Sequence, residues 1–182
     1  MQAAQVIQSP QSNNSVFVGT YGKYNAGSIA GAWFDLEDYA DYDDFIADCL
    51  NFHSDEADPE LMFQDWQCEL SGDYISESHI DSDLWKFLDL EDYDRKLVVI
   101  YSEIADISLS MKELIEQATG RFAGAHEDHM HFVIEYLENM GFDFDALYRC
   151  GVAIDYDGTW RTLRSDYDFV RIGLTNHYFH SY

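Results

Sequence analysis

The residues best equipped for chemistry are HEDHMH, positions 126 to 131. Three imidazoles and two carboxylates in six positions are metal-ligand types. A zinc protease of the H-E-x-x-H kind needs its histidines at i and i+4. Here His126 and His129 stand three apart, so that pattern fails, although the two can share one helix face. A His-rich helix start on a polar surface is the commoner case, and no metal is expected. AIDYDGTW, residues 153 to 160, resembles part of a calcium loop. With Asp155 first, however, Trp160 stands where an EF-hand needs Gly, and Asp166 where it needs Glu.

Other reaction centres fare no better. Cys49, Cys68 and Cys150 are isolated, with no C-x-x-C, and read as buried structural thiols of a reducing cytoplasm. There is no phosphate-cradling G-x-x-x-x-G-K-[ST] or G-x-G-x-x-G, and no G-x-S-x-G elbow. A carboxylate pair for glycoside hydrolysis stays open, because any two of 35 acids could face each other. Trp33, Trp66, Trp85 and Trp160 suit packing better than sugar stacking. No cofactor is expected, and no catalytic residue.

What remains is charge. DLEDYADYDDF, residues 35 to 45, holds six carboxylates in eleven positions and no base. Like charges this close repel, so the stretch is either a solvated acidic face or a working surface. Over the whole chain, 10 Lys and Arg face 35 Asp and Glu, a formal net charge of −25. That argues against nucleic acid and anionic lipid as partners, since both need cations. It favours basic partners, bound cations or extreme salt. The 47% hydrophobic content is too high for a disordered acidic tail, so the acid accompanies a fold. No apolar run approaches the roughly 20 residues that span a bilayer, and MQAAQVIQSPQSNNS reads as a flexible leader (1–14) rather than a signal peptide. The expected localisation is cytoplasmic.

The elements that must position these charges form an α+β pattern. SVFVGTYGKY (15–24) alternates as a first strand, Asn25 to Gly27 make a turn, and SIAGAWFDL follows as a second strand of a hairpin. Asp41 to Phe52 reads as an amphipathic helix. Tyr42, Phe45, Ile46, Cys49 and Leu50 lie on one side, and Asp41, Asp44 and Asp48 on another. DPELMFQDWQCEL suits a third strand. From about Ser76 the pattern turns helical, with Ser82 a candidate cap and LEDYDRKLVVIYSEIAD a further helix. Ser110 and Glu113 form a capping box at the start of a helix that Gly120 would close. EDHMHFVIEYLENMG buries Met130, Val133, Ile134 and Leu137 and stops at Gly141; Glu127, His131, Glu135 and Glu138 line another face. A short helix around YDGTWRTL and strands at DFVRIGL and HYFHSY complete the chain.

The charge is lopsided. No Lys or Arg lies between Lys23 and Lys86, an interval with seventeen carboxylates, whereas Arg149, Arg161, Arg164 and Arg171 gather later. A balanced surface can meet a copy of itself, so the C-terminal region is the candidate dimer interface. By charge count alone, −25 equals roughly 40 Å of duplex DNA.

VFVGTYGKYNAGSIAGAWFDL (16–36) and DEADPELMFQDWQ (55–67) resemble the opening signatures of the ArdA-like antirestriction proteins. The likeness continues through SLSMKELIEQATGRFAGAHEDHMHFVIEYLENMG and AIDYDGTWRTL. The resemblance implies an elongated acidic homodimer that mimics bent duplex DNA. Such a protein occupies the DNA groove of a type I restriction-modification enzyme, through its methyltransferase core and specificity subunit, and catalyses nothing. It further implies three modules in series: an N-terminal sheet with a helix (15–75), a central helical module (76–119) and a mixed C-terminal module (120–182) carrying the dimer contact. FVIEYLENMG (132–141) matches the family's antirestriction motif, here carried over to Glu135, Tyr136 and Glu138.

The expected mimic surface comprises Asp35, Glu37, Asp38, Asp41, Asp44, Asp48, Asp55, Glu56, Asp58, Asp81, Asp83, Asp89, Glu91, Asp92, Glu135 and Glu138. Two rivals stand beside this reading. A halophilic protein would be acidic for hydration and would spread its acid evenly. A hydrolase would use a carboxylate pair, or a metal held by His126 and His129.

Overall fold

A computed structural model describes residue 10 and residues 12–70, 72–106 and 108–182. The chain forms two compact units, one ending at Arg95 and one running Lys96–Tyr182. The expected α+β class holds: eight α-helices and three small antiparallel sheets lie among the described residues.

In the first unit, β1 (Ser15–Thr20) is the central strand. It pairs antiparallel with β2 (Ala32–Asp35) on one side and β3 (Leu61–Gln67) on the other. All six β1 residues are buried, as a strand flanked on both edges requires. The first strand was expected to reach Tyr24 but ends at Thr20. There the Thr20 hydroxyl accepts from the Lys23 amide at 3.2 Å and caps α1 (Tyr21–Asn25). The chain then turns at Gly27, whose φ of +79° suits a residue without Cβ.

Helix α2 (Tyr42–Phe52) begins one residue after the expected start: Asp41 stands outside it as the cap, its Oδ1 accepting from the Asp44 amide at 2.9 Å. Its buried face is narrower than the sequence pattern suggests. Phe45 and Cys49 are buried, Tyr42 and Ile46 only partly, and Leu50 is exposed. Phe45 sits in an aromatic cluster, its ring 5.5–6.2 Å from those of Phe34, Tyr39, Phe63 and Trp85.

The helical onset expected at Ser76 is replaced by a two-residue hairpin, β4 (Ile75–Ser76) with β5 (His79–Ile80). Helix α3 is confined to Leu84–Leu88, with Leu84, Trp85, Phe87 and Leu88 buried. Asp83, not Ser82, stands at its start, and Asp81 Oδ1 accepts from the Asp83 amide at 2.9 Å. Helix α4 (Asp92–Ser102) carries the chain into the second unit.

That unit opens with α5 (Met111–Arg121), where the expected capping box forms: Ser110 N–H donates to Glu113 Oε2 at 3.0 Å. Gly120 does not close the helix; α5 runs through it to Arg121. The chain enters β6 (Phe122–His126), a strand the sequence reading missed. Helix α6 (His129–Asn139) starts at Asp128, so Glu127 lies outside it. It buries Phe132, Val133 and Leu137, while Met130 is 44% exposed and Ile134 half-buried. Gly141 ends it as expected at φ +87°, with the Gly141 and Phe142 amides bonded back to Glu138 and Leu137 carbonyls.

The unexpected α7 (Phe144–Arg149) buries nothing, and α8 (Tyr156–Leu163) follows. Strands β7 (Tyr167–Ile172) and β8 (Thr175–His180) appear where expected, and the sheet order is β6-β8-β7. Tyr178 and Phe179 of the central strand are fully buried. Phe132 stacks on Tyr178 with ring centres 4.2 Å apart. By contrast, no residue from Glu138 to Thr175 is buried.

Of the expected leader, residues 1–9 and 11 lie outside the described residues. Asn14, at its end, is buried, and its amide donates to Glu37 at 3.0 Å. No helix among the described residues is long and apolar enough to cross a membrane. The thiols differ from expectation: Cys49 is buried, Cys68 half-buried and Cys150 exposed.

Candidate acidic interface

The histidine cluster disperses. His126, on β6, points Nε2 at Glu135 Oε2, 3.5 Å away. His129 stacks on Trp160 with centroids 4.2 Å apart, and its Nδ1 meets the Tyr178 hydroxyl at 2.8 Å. Burial holds His129 below the ordinary imidazole pKa. His131 Nδ1 contacts Asp128 at 2.7 Å. Each ring therefore has a different partner. Nor does AIDYDGTW form a calcium loop: Asp155 Oδ1 accepts from the Gly158 amide at 2.8 Å and starts α8.

One group among the described residues has metal-ligand spacing: His53, Asp55 and Glu56. A cation already sits among them. Lys23 Nζ lies 2.9 Å from His53 Nδ1, 2.8 Å from Asp55 Oδ1 and 3.5 Å from Glu56 Oε1. The Thr20 hydroxyl donates to Glu56 at 2.6 Å and holds that carboxylate in place. The hydrogen bond from Lys23 is the main reason Asp55 titrates below the ordinary carboxylate value.

None of the sixteen expected mimic carboxylates is buried. Asp35, Glu56, Asp81 and Asp83 are half-buried and the rest exposed. All but Glu135 and Glu138 belong to the first unit. They divide by what their oxygens already do. Asp35, Asp41 and Asp81 accept from nearby backbone amides. Asp48 accepts from the Tyr39 hydroxyl at 2.8 Å. Glu37 meets Arg95 at 3.1 Å, Asp83 meets Lys86 at 2.7 Å, and Asp55 and Glu56 surround Lys23. Asp38, Asp44, Asp58, Asp89, Glu91, Asp92 and Glu138 have no side-chain partner among the described residues. Asp43 on α2, which the sequence reading left out, is exposed in the same way. Its signal was the run DYDDF itself.

The cations explain why this surface stays negative. The first unit carries 21 carboxylates against Lys23, Lys86 and Arg95, a formal −18; the second carries 14 against seven bases, a formal −7. Each base of the first unit is tied to a carboxylate in the fold. Arg95 is held hardest: its guanidinium also donates to the Leu88 carbonyl and lies 5.6 Å over the Phe87 ring. Three cations, each already beside a carboxylate, leave most of the exposed acids of that unit without a basic neighbour. In the second unit Arg149, Arg164 and Arg171 are exposed and form no salt bridge among the described residues.

Such a surface can attract, orient and hold a basic partner. A search among curated proteins found no match. A family model described as antirestriction protein (ArdA) matches residues 16–175, and the chain belongs to that family, whose members are non-enzymatic inhibitors.

Proposed function

We propose that this ArdA-family chain inhibits restriction as a DNA mimic, its exposed carboxylates standing in the phosphate positions of a type I restriction-modification enzyme's groove. The observation that supports this most is the small and already paired cation set of the first unit, which leaves Asp38, Asp44, Asp58, Asp89, Glu91 and Asp92 without side-chain partners among the described residues. A formal −18 equals, by charge count alone, roughly 30 Å of duplex. Along α2, Asp44 and Asp48 are separated by about 6 Å of helix axis, a spacing within reach of phosphate-binding Lys and Arg. Association is steered by the whole field and weakens with salt.

In this reading the chain works as a cytoplasmic homodimer in three serial modules. The second unit, less acidic at a formal −7 and with no buried residue from Glu138 to Thr175, supplies the contact between copies.

The test is a competition titration against duplex DNA for a type I methyltransferase complex with its specificity subunit, at two ionic strengths. Methylation is read with that complex and cleavage with the complete restriction enzyme. Inhibition that DNA overcomes, and that weakens at the higher salt, supports the proposal. Inhibition unaffected by DNA concentration defeats it.

A further inference from the structure

Lys23 is the only lysine or arginine in the first 85 residues, a stretch with seventeen carboxylates. If the acidic surface worked by net charge alone, this cation would only subtract from it. Its ammonium is nevertheless closely housed. The side chain is 17% exposed, and three acceptors stand within reach of its three protons: His53 Nδ1 at 2.9 Å, Asp55 Oδ1 at 2.8 Å and Glu56 Oε1 at 3.5 Å.

All three acceptors belong to the segment that joins α2 to β3, residues 53–60, and that segment has further ties to the start of α1. The Thr20 hydroxyl donates to Glu56 Oε1 at 2.6 Å, and the Tyr21 amide donates to the Glu60 carbonyl at 3.0 Å. Gly22 completes the seat, because a Cβ there would stand 2.5 Å from Glu56 Oε2. What the seat holds is outward-facing charge. Asp55, Asp58 and Glu60 are exposed, and neither Asp58 nor Glu60 has a side-chain partner among the described residues. Four carboxylates in the six positions 55–60 repel one another, and without a cation beneath them the segment would spread to separate them.

We propose that Lys23 is a positioning residue: its ammonium fixes the acidic turn 55–60 in the shape that meets the basic groove of the restriction enzyme. The inference rests on the mimicry proposed above and names one element of its contact surface.

Two variants separate position from charge. Lys23→Met makes the chain more negative by one. Gly22→Ala leaves the charge unchanged, suits a helical backbone and displaces only the end of the Glu56 side chain. Each is titrated beside wild type against duplex DNA for the methyltransferase complex over a salt series, with its melting temperature recorded. Both should inhibit at least threefold more weakly and lose part of the salt dependence, because fewer carboxylates meet the groove at once. A partly unfolded variant would only lower the active concentration and leave the salt dependence as it is. Inhibition by either variant that equals or exceeds wild type overturns the inference, and so does weaker inhibition with the wild-type salt dependence. Should Lys23→Met fail to fold, Gly22→Ala decides by the same two readings. Wild-type inhibition that DNA cannot overcome defeats the mimicry itself, whatever the variants do.

Discussion

Lys23 Nζ lies 2.9 Å from His53 Nδ1, and Nε2 of the same ring lies 3.3 Å from the Val18 carbonyl oxygen. The network assigns the proton to Nε2, which donates to Val18, and leaves Nδ1 to accept from the ammonium. Burial first, and Lys23 second, hold His53 below its ordinary pKa; the Val18 carbonyl, Glu56 and Asp55 oppose them. In the unfolded chain His53 titrates near 6.5, about the usual value, so the unfolded state binds more protons as the pH falls. The stability this ring contributes is complete above roughly that pH and is lost as the pH drops toward its folded value. His129 and His177, also lowered by burial, act in the same direction. The urea midpoint is expected to fall between pH 7.5 and 5.5, and to fall less in Lys23→Met. Equal falls in the two proteins would remove Lys23 from the account.

Gly120 lies inside α5, and a Cβ built there meets nothing within 4 Å. Gly120→Ala should therefore stabilise the protein by about 0.5–1 kcal/mol, the usual gain of alanine over glycine in a helix interior. Thermal unfolding reads it directly. A destabilised variant would mean that Gly120 closes the helix after all.

The partition of the carboxylates predicts unequal mutants. Singly changing Asp38, Asp44, Asp58 or Asp89 to Asn should alter inhibition less than about fivefold, because an exposed ion pair is worth about 0.2–1 kcal/mol. Changing all of these with Glu91 and Asp92 sums to roughly 1–6 kcal/mol, a loss of about tenfold or more. Stability should not suffer, since these six oxygen pairs hold nothing in the fold. Glu37→Gln should do the reverse: it loosens Arg95 and lowers the melting temperature with little effect on inhibition. A single free-carboxylate variant that abolished inhibition in a folded protein would point to a discrete site instead of a field.

The parallel stack of His129 on Trp160, 4.2 Å apart and 10° from coplanar, makes that tryptophan a reporter. Protonating the imidazole puts a cation against the indole and quenches its emission. Because burial lowers the His129 pKa, the quenching midpoint is expected below 6.5. The step should vanish in both His129→Gln and Trp160→Phe. A midpoint at or above 6.5 contradicts the buried setting.

How much of this was legible in the sequence depends on how local its cause is. The Ser110–Glu113 box and the Gly141 stop each act within one helical turn, and the sequence showed them; Asp41 reads in the sequence as the first residue of its helix and stands in the fold as its cap. The end of β1 was hidden because the alternation runs on past Thr20, whose capping role needs only one hydroxyl. The β4–β5 ladder is too short to show any period. FAGAH is short and built mostly of small residues, so it does not look like a strand, and α7 buries nothing, so it has no apolar rhythm. The exposure of the acidic residues was readable from composition. Their engagement was not, because Glu37 and Arg95 are 58 positions apart and meet only through the fold.

In the second unit the central strand is β8, the last of the three to be synthesised; in the first it is β1, the earliest. On a ribosome, the first sheet needs the chain only to Gln67, whereas β6 and β7 wait unpaired until Thr175–His180 has left the exit tunnel. The anionic half can thus mature while the remainder is still being translated. A nonsense mutation or proteolytic clip just before Thr175 would leave that half intact and its partner sheet without a keystone.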